Sequence, residues 1–458
     1  MNHLLRIKNS INESNLSLNN MYNNKYLYSL NSYKNTILKE SKPIGIESSL
    51  VDEYLLNLMK TEYFPEVRKC IEYIESLPLV EQKTPEWFRL REGMISASDA
   101  GYFLKKCGVA RAINSLKIKV GLTSYVSSSA PPLMHGNTYE DVARAIYESR
   151  NCVSVTEFGI LNSPTLCIGA SPDGIVTNCH KDTYECQSKY GRLLEIKCPY
   201  SREIDNTIKP EYMVQILQQQ YTTQLPICDF VELTIVDAYC NTTNNNYKPY
   251  TNLSEMLEDK LDKENPNWES RIKNKNIPSD NLNKFGNEKG LIIWYKKKIT
   301  EVDTRNKYIM YPLTGLYDKL TIEKWIVDTN SDQFKDGYKY VCCKYWRLDI
   351  YSEKTVIYDQ NKFEGEYVPL LCNVWDIITN CNSLKIEGGD VSNYIEEIEK
   401  DKDSPFYNEN KIKKKAKLDK DNETKGKNKD EENISEVNPN IKIFAKAFKP
   451  NKDIELDF

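Results

Sequence analysis

Apolar residues in the stretch VDEYLLNLMKTEYFPEVRKCIEYIESLPL (residues 51–79) recur at mixed three- and four-residue intervals. This spacing predicts two helices broken near Pro65, because proline cannot donate the backbone hydrogen bond that a helix interior needs. From residue 84 to about 238 the pattern changes, with helical periodicity alternating with short strand-like runs. Helices are predicted over residues 85–91, 97–105, 136–148 and 210–223, and strands over 158–170, 192–199 and 230–237. This alternation implies an α/β or α+β fold with one central mixed β-sheet flanked by helices.

The flanking segments read differently. Residues 1–45 are rich in Asn, Ser, Leu and Tyr with little periodicity, and read as a flexible or loosely helical leader. Residues 241–289 are polar and Asn-rich, with one helical stretch around 253–262. Strand and helix signals return over 291–384, in LIIWYKKK, YKYVCCKYWRLDIYS and VPLLCNVWDIITNC. These continue the preceding domain or form a packed accessory layer. From about residue 400 Lys, Asp, Glu and Asn dominate up to a short apolar patch at 441–448, a composition that predicts a disordered tail. The expected organisation is a helical N-terminal extension (1–80), a core (81–240), a polar insertion (241–290), a continuation of the core (291–398) and a charged tail (399–458). The basic run KIKKKAK at 411–417 reads as a solvated tail, or as a nuclear-targeting or nucleic-acid-tethering segment. No internal repeat is present.

Composition narrows the options only a little. A chain of 458 residues with 40% hydrophobic residues can bury at least one sizeable core. The net charge of -4 argues against a protein that coats nucleic acid nonspecifically, but it leaves room for an enzyme that contacts phosphates through a local basic surface. The 13 cysteines form no regular framework and fit reduced intracellular thiols. No run of about 18 uncharged apolar residues predicts a membrane span, and no secretory leader is expected. The richness in Asn, Lys, Ile and Tyr is what an AT-rich genome imposes. Cys179, His180 and Cys186 lack a second pair of zinc-ligand spacing, and no GxxxxGK[ST] loop for a nucleotide triphosphate occurs.

The candidate chemistry lies in three segments. In LLEIKCP (193–199), strand alternation places Glu195 and Lys197 on one face and Leu194, Ile196 and Cys198 on the other. By itself this reads as an edge strand with a solvated Glu/Lys face. In IGASPDGIV (168–176), Pro172-Asp173-Gly174 has turn chemistry at the end of a strand-like run, and by itself reads as an ordinary turn. Together they change meaning. If Asp173 closes one strand and Glu195 and Lys197 ride the next, with residues 177–191 as the hairpin loop, two carboxylates and an ammonium converge. Mg²⁺ takes oxygen ligands and keeps several waters, so one or two carboxylates suffice to hold it. The metal acidifies a bound water, and a lysine can orient that water and stabilise the charge that develops on a phosphodiester. A further carboxylate, Glu140 of GNTYEDVARAIYE (136–148), stands near the apolar helical face of Ala143, Ile146 and Tyr147.

The combination resembles the PD-(D/E)xK nuclease superfamily, and within it the lambda-exonuclease type, the YqaJ-like viral recombinase family. The resemblance is carried by five blocks in about 140 residues: WFRLR with GMISAS (87–98), HGNTYE with Ala143 (135–143), GASPDG (169–174), LEIKCP (194–199) and YMVQ (212–215). It implies a restriction-endonuclease-like core. It also implies that Glu140, Asp173 and Glu195, with the Ile196 carbonyl, hold Mg²⁺ or Mn²⁺, and that Lys197 positions the attacking water. Arg91, Ser98, Ser171 and Gln215 are implied to line the nucleophile and 5′-phosphate pocket. Where the family helix often carries a second Gln, two residues after Gln215, this chain has Leu217. The later aromatics Tyr345, Trp346 and Trp375 are expected to be core.

The resemblance therefore implies a metal-dependent deoxyribonuclease, a 5′→3′ double-stranded DNA exonuclease acting in viral recombination, replication or repair. Its expected partners are duplex DNA ends and a single-strand annealing protein. Relatives form homo-oligomeric rings around DNA. Its expected setting is the host cytoplasm or nucleus, or the virion, with no membrane association. A structure-specific endonuclease or DNA/RNA nuclease of the same fold is the alternative within the fold. A decayed, DNA-binding recombination scaffold is the alternative outside catalysis.

Overall fold

The computed structural model describes residues 48–78, 80, 84–123, 130–163, 165–205, 207–238, 249–258, 282–283, 288–298 and 304–414. The expected leader, most of the polar insertion, the end of the basic run and the apolar patch at 441–448 lie outside the described residues.

Two N-terminal helices, α1 (Ser48–Leu58) and α2 (Phe64–Ser76), are separated by a π-helical turn, Met59–Tyr63, just before Pro65. The break falls where the proline removes a helical donor. Helix α3 (Pro85–Glu92) starts at a Thr84 cap, whose hydroxyl accepts from the Trp87 amide at 3.3 Å, with Pro85 in the first turn. After β1 (Ile95–Ser96) come α4 (Ala97–Phe103), α5 (Val109–Lys119) and the long α6 (Pro131–Asn151), which ends on Cys152 in the left-handed conformation. Strands β2 (Val153–Thr156), β3 (Leu161–Asn162), β4 (Ile168–Ala170) and β5 (Gly174–Cys179) follow, then α7 (Tyr184–Gln187), β6 (Leu193–Lys197), α8 (Pro210–Thr223) and β7 (Ile227–Asp237). The remainder adds α9 (Leu253–Glu258), β8 (Leu282–Asn283), β9 (Lys289–Lys298), β10 (Thr304–Met310), α10 (Lys319–Lys335), β11 (Lys339–Ile357), α11 (Val368–Ile386) and α12 (Val391–Ile398).

Among the described residues the main sheet runs β10-β9-β11-β7-β6-β5-β2, with β8 on β11, and a small second sheet runs β1-β4-β3. The main sheet is mixed: β6 and β7 are parallel, and the other pairs are antiparallel. Helices cover both faces, so the mixed, helix-flanked sheet expected from the sequence is present. On one face Leu194, Ile196, Val231, Leu233 and Ile235 pack against Tyr139, Val142 and Ile146 of α6. On the other, Leu193, Cys228 and Phe230 pack against Ile216 of α8 and the apolar stripes of α1 and α2. The long strand β11 pairs along the full length of β7, so the later strands extend this same sheet, and Trp346 is fully buried in its core.

Three expectations need correction. The segment 158–170 is not one strand. A turn interrupts it, with the Ser163 amide bonded to the Ile168 carbonyl at 2.9 Å and the Ser163 hydroxyl accepting from the Leu166 amide. Satisfied locally, those backbone groups do not join a continuous ladder. Strand β2 went unforeseen, because its residues VSVT follow directly on a helix. Asp173 stands at the head of β5 rather than at the tail of the preceding strand, and the connection from β5 to β6 is not a loose loop, since it contains α7.

Beneath the sheet lies a buried ionic knot. Asp229 of β7, wholly buried, meets Arg192 at 2.9 Å, Lys189 at 2.8 Å, and the hydroxyls of Tyr147 and Thr355 at 2.8 Å each. Burial alone would push its carboxyl up, but Arg192 and Lys189 overcome this and hold it well below the usual carboxylate range. The knot ties the approach to β6, β7, α6 and β11 to one another. Replacing Asp229 with Ala strands Arg192 and Lys189 without their counter-charge and is expected to cost about 3–5 kcal/mol, read from the urea midpoint. Because the folded group titrates below its unfolded value, its stabilisation is intact above about pH 4 and fades as the pH falls further.

Candidate functional site

β6 lies between β5 and β7, so no edge is available for a solvated Glu/Lys face. Its alternation is kept, but both faces are covered, and Glu195 is completely buried. A buried carboxylate is costly unless it is paired and hydrogen-bonded. Both of its oxygens are engaged: Lys197 Nζ donates to Oε1, and Gln219 Nε2 of α8 donates to Oε2 at 2.6 Å. Asp173, on the neighbouring strand, is fixed by the backbone. Its amide donates to the Leu194 carbonyl at 3.1 Å, and its Oδ2 accepts from the Ile196 amide at 2.6 Å. The register Gly174↔Leu194 sets this pairing and draws Asp173 and Glu195 together.

The electrostatics bear the marks of crowded acids. Burial, then the nearby Glu195 and Glu140 carboxylates, push the Asp173 carboxyl well above its ordinary range. Burial pulls the Lys197 amine down, but Glu195 and Asp173 outweigh it and raise its affinity for the proton, so it stays charged. Its ammonium also lies 5.0 Å above the Tyr212 ring. Glu140, half-buried on α6, is felt by Asp173 and by the Cys198 thiol, which burial first, and then Glu140 and Asp173, push up. The structure thus brings Glu140, Asp173, Glu195 and Lys197 into one neighbourhood.

A second cluster forms at the start of α4. The Arg91 guanidinium lies 4.6 Å over the buried Trp87 ring, and its Nη2 donates to Ser96 Oγ at 2.8 Å and Ser98 Oγ at 3.0 Å. Asp99 Oδ2 accepts from Ser96 at 2.6 Å and faces Arg91 at 3.4 Å. Lys119 of α5 donates to the carbonyls of Arg91 and Met94, and burial lowers its amine to about 8 against the opposing pull of Asp99. Ser171 is half-buried, directly before Pro172-Asp173.

α8 joins the two clusters. An α-helix advances about 100° per residue, so three consecutive side chains point to three different neighbours. Gln218 donates to the carbonyls of Ile95 and Gly169 at 2.9 Å, clasping β1 and β4. Gln219 holds Glu195, and Gln220 donates to the carbonyls of Pro226 and Val356 at 2.9 Å. α8 can lie this close to α4 because Gly101 lacks a side chain; a Cβ there would stand 2.8 Å from the Glu211 Cα. Gln215 lies one turn earlier, half-buried, and is not among the partners of Glu195. From the sequence alone Gln219, Asp99 and Lys119 have no role, and Ser96 and Tyr212 stand only as members of the motif blocks. One signal was on view: three glutamines in a row in an otherwise apolar helix, ILQQQY, a place where buried amides need partners.

The donor set is chemically suited to a hard divalent cation, since it offers carboxylate oxygens and the Ile196 carbonyl. A carboxyl pushed up by burial and by two like-charged neighbours is also what such a cation would relieve. Among the described residues, no group of three or more His, Cys, Asp or Glu forms a ready-made cage. In the structure the carboxylate oxygens of Glu195 and Asp173 are instead held by Lys197, Gln219 and the Ile196 amide.

The fold and site define a mixed α/β protein in which acids and a lysine meet on adjacent sheet strands beneath a glutamine-bearing helix. Residues 86–226, which contain both clusters, match the family model of the YqaJ-like viral recombinase domain, and this part of the chain is such a domain. The chain is 27% identical over 378 residues to the uncharacterized protein R354 of Acanthamoeba polyphaga mimivirus, an alignment that takes in 78% of this chain. It covers 63% of that relative, less than two thirds of its length. Among solved structures, LHK-Exo in complex with dAMP is 30% identical over 32% of this chain and 73% of that one, with a TM-score of 0.26. A second structure, described as an alkaline exonuclease (LHK-Exo) from Laribacter hongkongensis, is 29% identical over 33% and 74%, with a TM-score of 0.26. Among the described residues no helix is long and apolar enough to cross a membrane.

Two outcomes are expected from this geometry. Gln219→Ala frees one oxygen of Glu195 to rotate, so if the site takes Mg²⁺, the midpoint of Mg²⁺ binding should shift about 10–100-fold upward, with the fold unchanged by circular dichroism. Asp173, raised above its ordinary range, must lose its proton to hold a cation. Mg²⁺ binding should therefore tighten with rising pH and release protons, visible as a buffer-dependent heat in calorimetry.

Proposed function

We propose that this chain is a divalent-metal-dependent deoxyribonuclease that degrades one strand of duplex DNA in the 5′→3′ direction from an end, in the service of viral DNA recombination, replication or repair. The observation that carries the proposal is the convergence of Asp173 and Glu195 from adjacent strands, with Glu140 from α6 and the charged Lys197 beside them. Glu140, Asp173, Glu195 and the Ile196 carbonyl would hold Mg²⁺ or Mn²⁺. Such an ion supplies an acidified water and neutralises charge on the phosphate. Lys197 keeps its proton and presents it where negative charge develops on the phosphodiester. Gln219 and Lys197 fix the orientation of Glu195. Residues 81–240, extended by the strands of 291–398, are assigned as the nuclease domain.

The end-directed part of the reading rests on the second cluster. A guanidinium flanked by hydroxyls suits a terminal phosphate, which accepts bidentate hydrogen bonds. Arg91, Ser96 and Ser98 supply that set, with the Arg91 plane backed by Trp87. Ser171 and Gln215 are assigned to the same pocket from the family motif alone. Duplex ends are the proposed substrate. A single-strand annealing protein and a ring of identical subunits are the proposed partners.

Digestion of end-labelled linear duplex with Mg²⁺ tests the chemistry. Glu195→Ala and Lys197→Ala should each lower the rate by roughly 10²–10³ or more. Retention of full activity by both variants refutes the assignment. Arg91→Ala should slow cleavage at 5′-phosphorylated ends far more than it weakens DNA binding, and closed circular duplex should survive intact. Equal wild-type rates on 5′-phosphate and 5′-hydroxyl ends would sink end recognition, and nicking of the circle would favour the endonuclease alternative.

A further inference from the structure

Away from both clusters, the far end of the main sheet carries an unusual concentration of charge. β9 and β10 contain Lys289, Lys296, Lys297, Lys298, Arg305 and Lys307 and not one Asp or Glu, in a chain whose net charge is -4. Strand alternation and register sort these side chains. Trp294, Lys296 and Lys298 share one face of β9. On that face Tyr308 stands opposite Trp294 and Asn306 opposite Lys296 on β10, and Cys342 stands opposite Trp294 and Lys339 opposite Lys296 on β11. The reverse face, with Ile293 and Tyr295, is closed by Tyr311 and by Ile322 of α10.

The exposed end of this face is ordered by specific contacts. Trp294 and Tyr308 stack, with centroids 6.1 Å apart and planes 24° from parallel. The Trp294 indole N–H donates to Asn306 Oδ1 at 3.1 Å, which fixes the ring plane. Lys296 Nζ stands 4.6 Å and Lys344 Nζ 5.6 Å from the Trp294 centroid. Both rings are only half-buried, and Lys296 and Lys339 are exposed. The Tyr308 hydroxyl meets that of Thr138, two residues before Glu140 on α6, so the platform is tied to the helix that feeds the candidate site.

We propose that this Trp294–Tyr308 platform, with the exposed Lys296 and Lys339, binds single-stranded DNA. The buried Lys344, paired with Asp237 at 3.9 Å, backs the Trp294 ring from below. Aromatic faces flanked by cations bind unpaired bases by stacking while the cations meet the phosphates. A duplex hides its base faces and could use only the charge, so the aromatic pair selects the single strand. The choice of DNA rests on the nuclease reading, under which an unpaired strand remains once its complement is removed. The platform gives that strand a resting place outside the reacting residues.

The test uses the full chain without metal, in EDTA, and the anisotropy of a fluorescein-labelled oligo(dT). Wild type should bind the oligonucleotide in preference to a blunt duplex of equal length, with quenching of tryptophan fluorescence. Trp294→Ala and the double variant Lys296→Glu/Lys339→Glu should each bind about tenfold more weakly or worse. Wild-type affinity in the double variant, whose substitutions fall on exposed side chains, overturns the proposal whatever the tryptophan variant does. Preference of the wild type for blunt duplex overturns it too. The two readings separate cleanly. Loss of oligo(dT) binding in a protein that cleaves nothing supports the platform and refutes the nuclease, whereas cleavage with unchanged binding does the reverse.

Discussion

The structure of the site depends on one carboxylate. Glu195 sits on an interior strand, closed off on both faces, where an ionised side chain survives only if every oxygen has a donor. Lys197, two residues along the same strand, satisfies one oxygen, and Gln219 of α8 satisfies the other. Each partner brings further structure with it. Lys197 rests against Tyr212 at the start of α8, and Gln219 is flanked by Gln218 and Gln220, which clasp the small sheet and the end of β11. Satisfying one buried charge thus fixes where a helix lies, and that helix positions the Arg91 cluster through the Ile95 carbonyl beside Ser96.

Two buried charge systems do different work in this fold. Around Asp229, two cations and two hydroxyls more than compensate the carboxylate, and its proton affinity falls. The result is a saturated knot that holds strands and helices together. Around Asp173 the balance is reversed: burial and then the neighbouring Glu195 and Glu140 carboxylates all raise its proton affinity. A region that carries excess negative charge inside a folded protein is suited to receive a cation. Burial raises both carboxyls; the cations around Asp229 overcome it, whereas the carboxylates around Asp173 add to it.

The sheet also separates charge of opposite sign within a chain of negative net charge. Acids are gathered at the β5–β6 end and beneath it, while β9 and β10 hold lysine and arginine without any carboxylate. Charge is segregated along the strand order, so β9 and β10 carry an excess of positive side chains, opposite in sign to the net charge of the chain.

The periodicity of the chain sufficed for the helices α3, α4 and α8 and for strands β6 and β7, while the acids and lysine of the candidate site were singled out by their motif blocks. These are short-range properties, written in spacing, caps and motif residues. A residue's partner across the fold is not written that way. Nothing in LLEIKCP says that β6 is interior rather than edge, since that depends on β7 and β11 arriving from residues up to 357. The antiparallel partner of β6 begins after Asp173 instead of ending there, and the preceding run is broken by a serine-centred turn and pairs in the small second sheet. Gln219 was visible only as one of three glutamines, and its role follows from the angle at which α8 crosses β6. The sequence determined which chemical groups are available and on which local face each lies. Tertiary packing decided which of them are deprived of water, and so which must find one another.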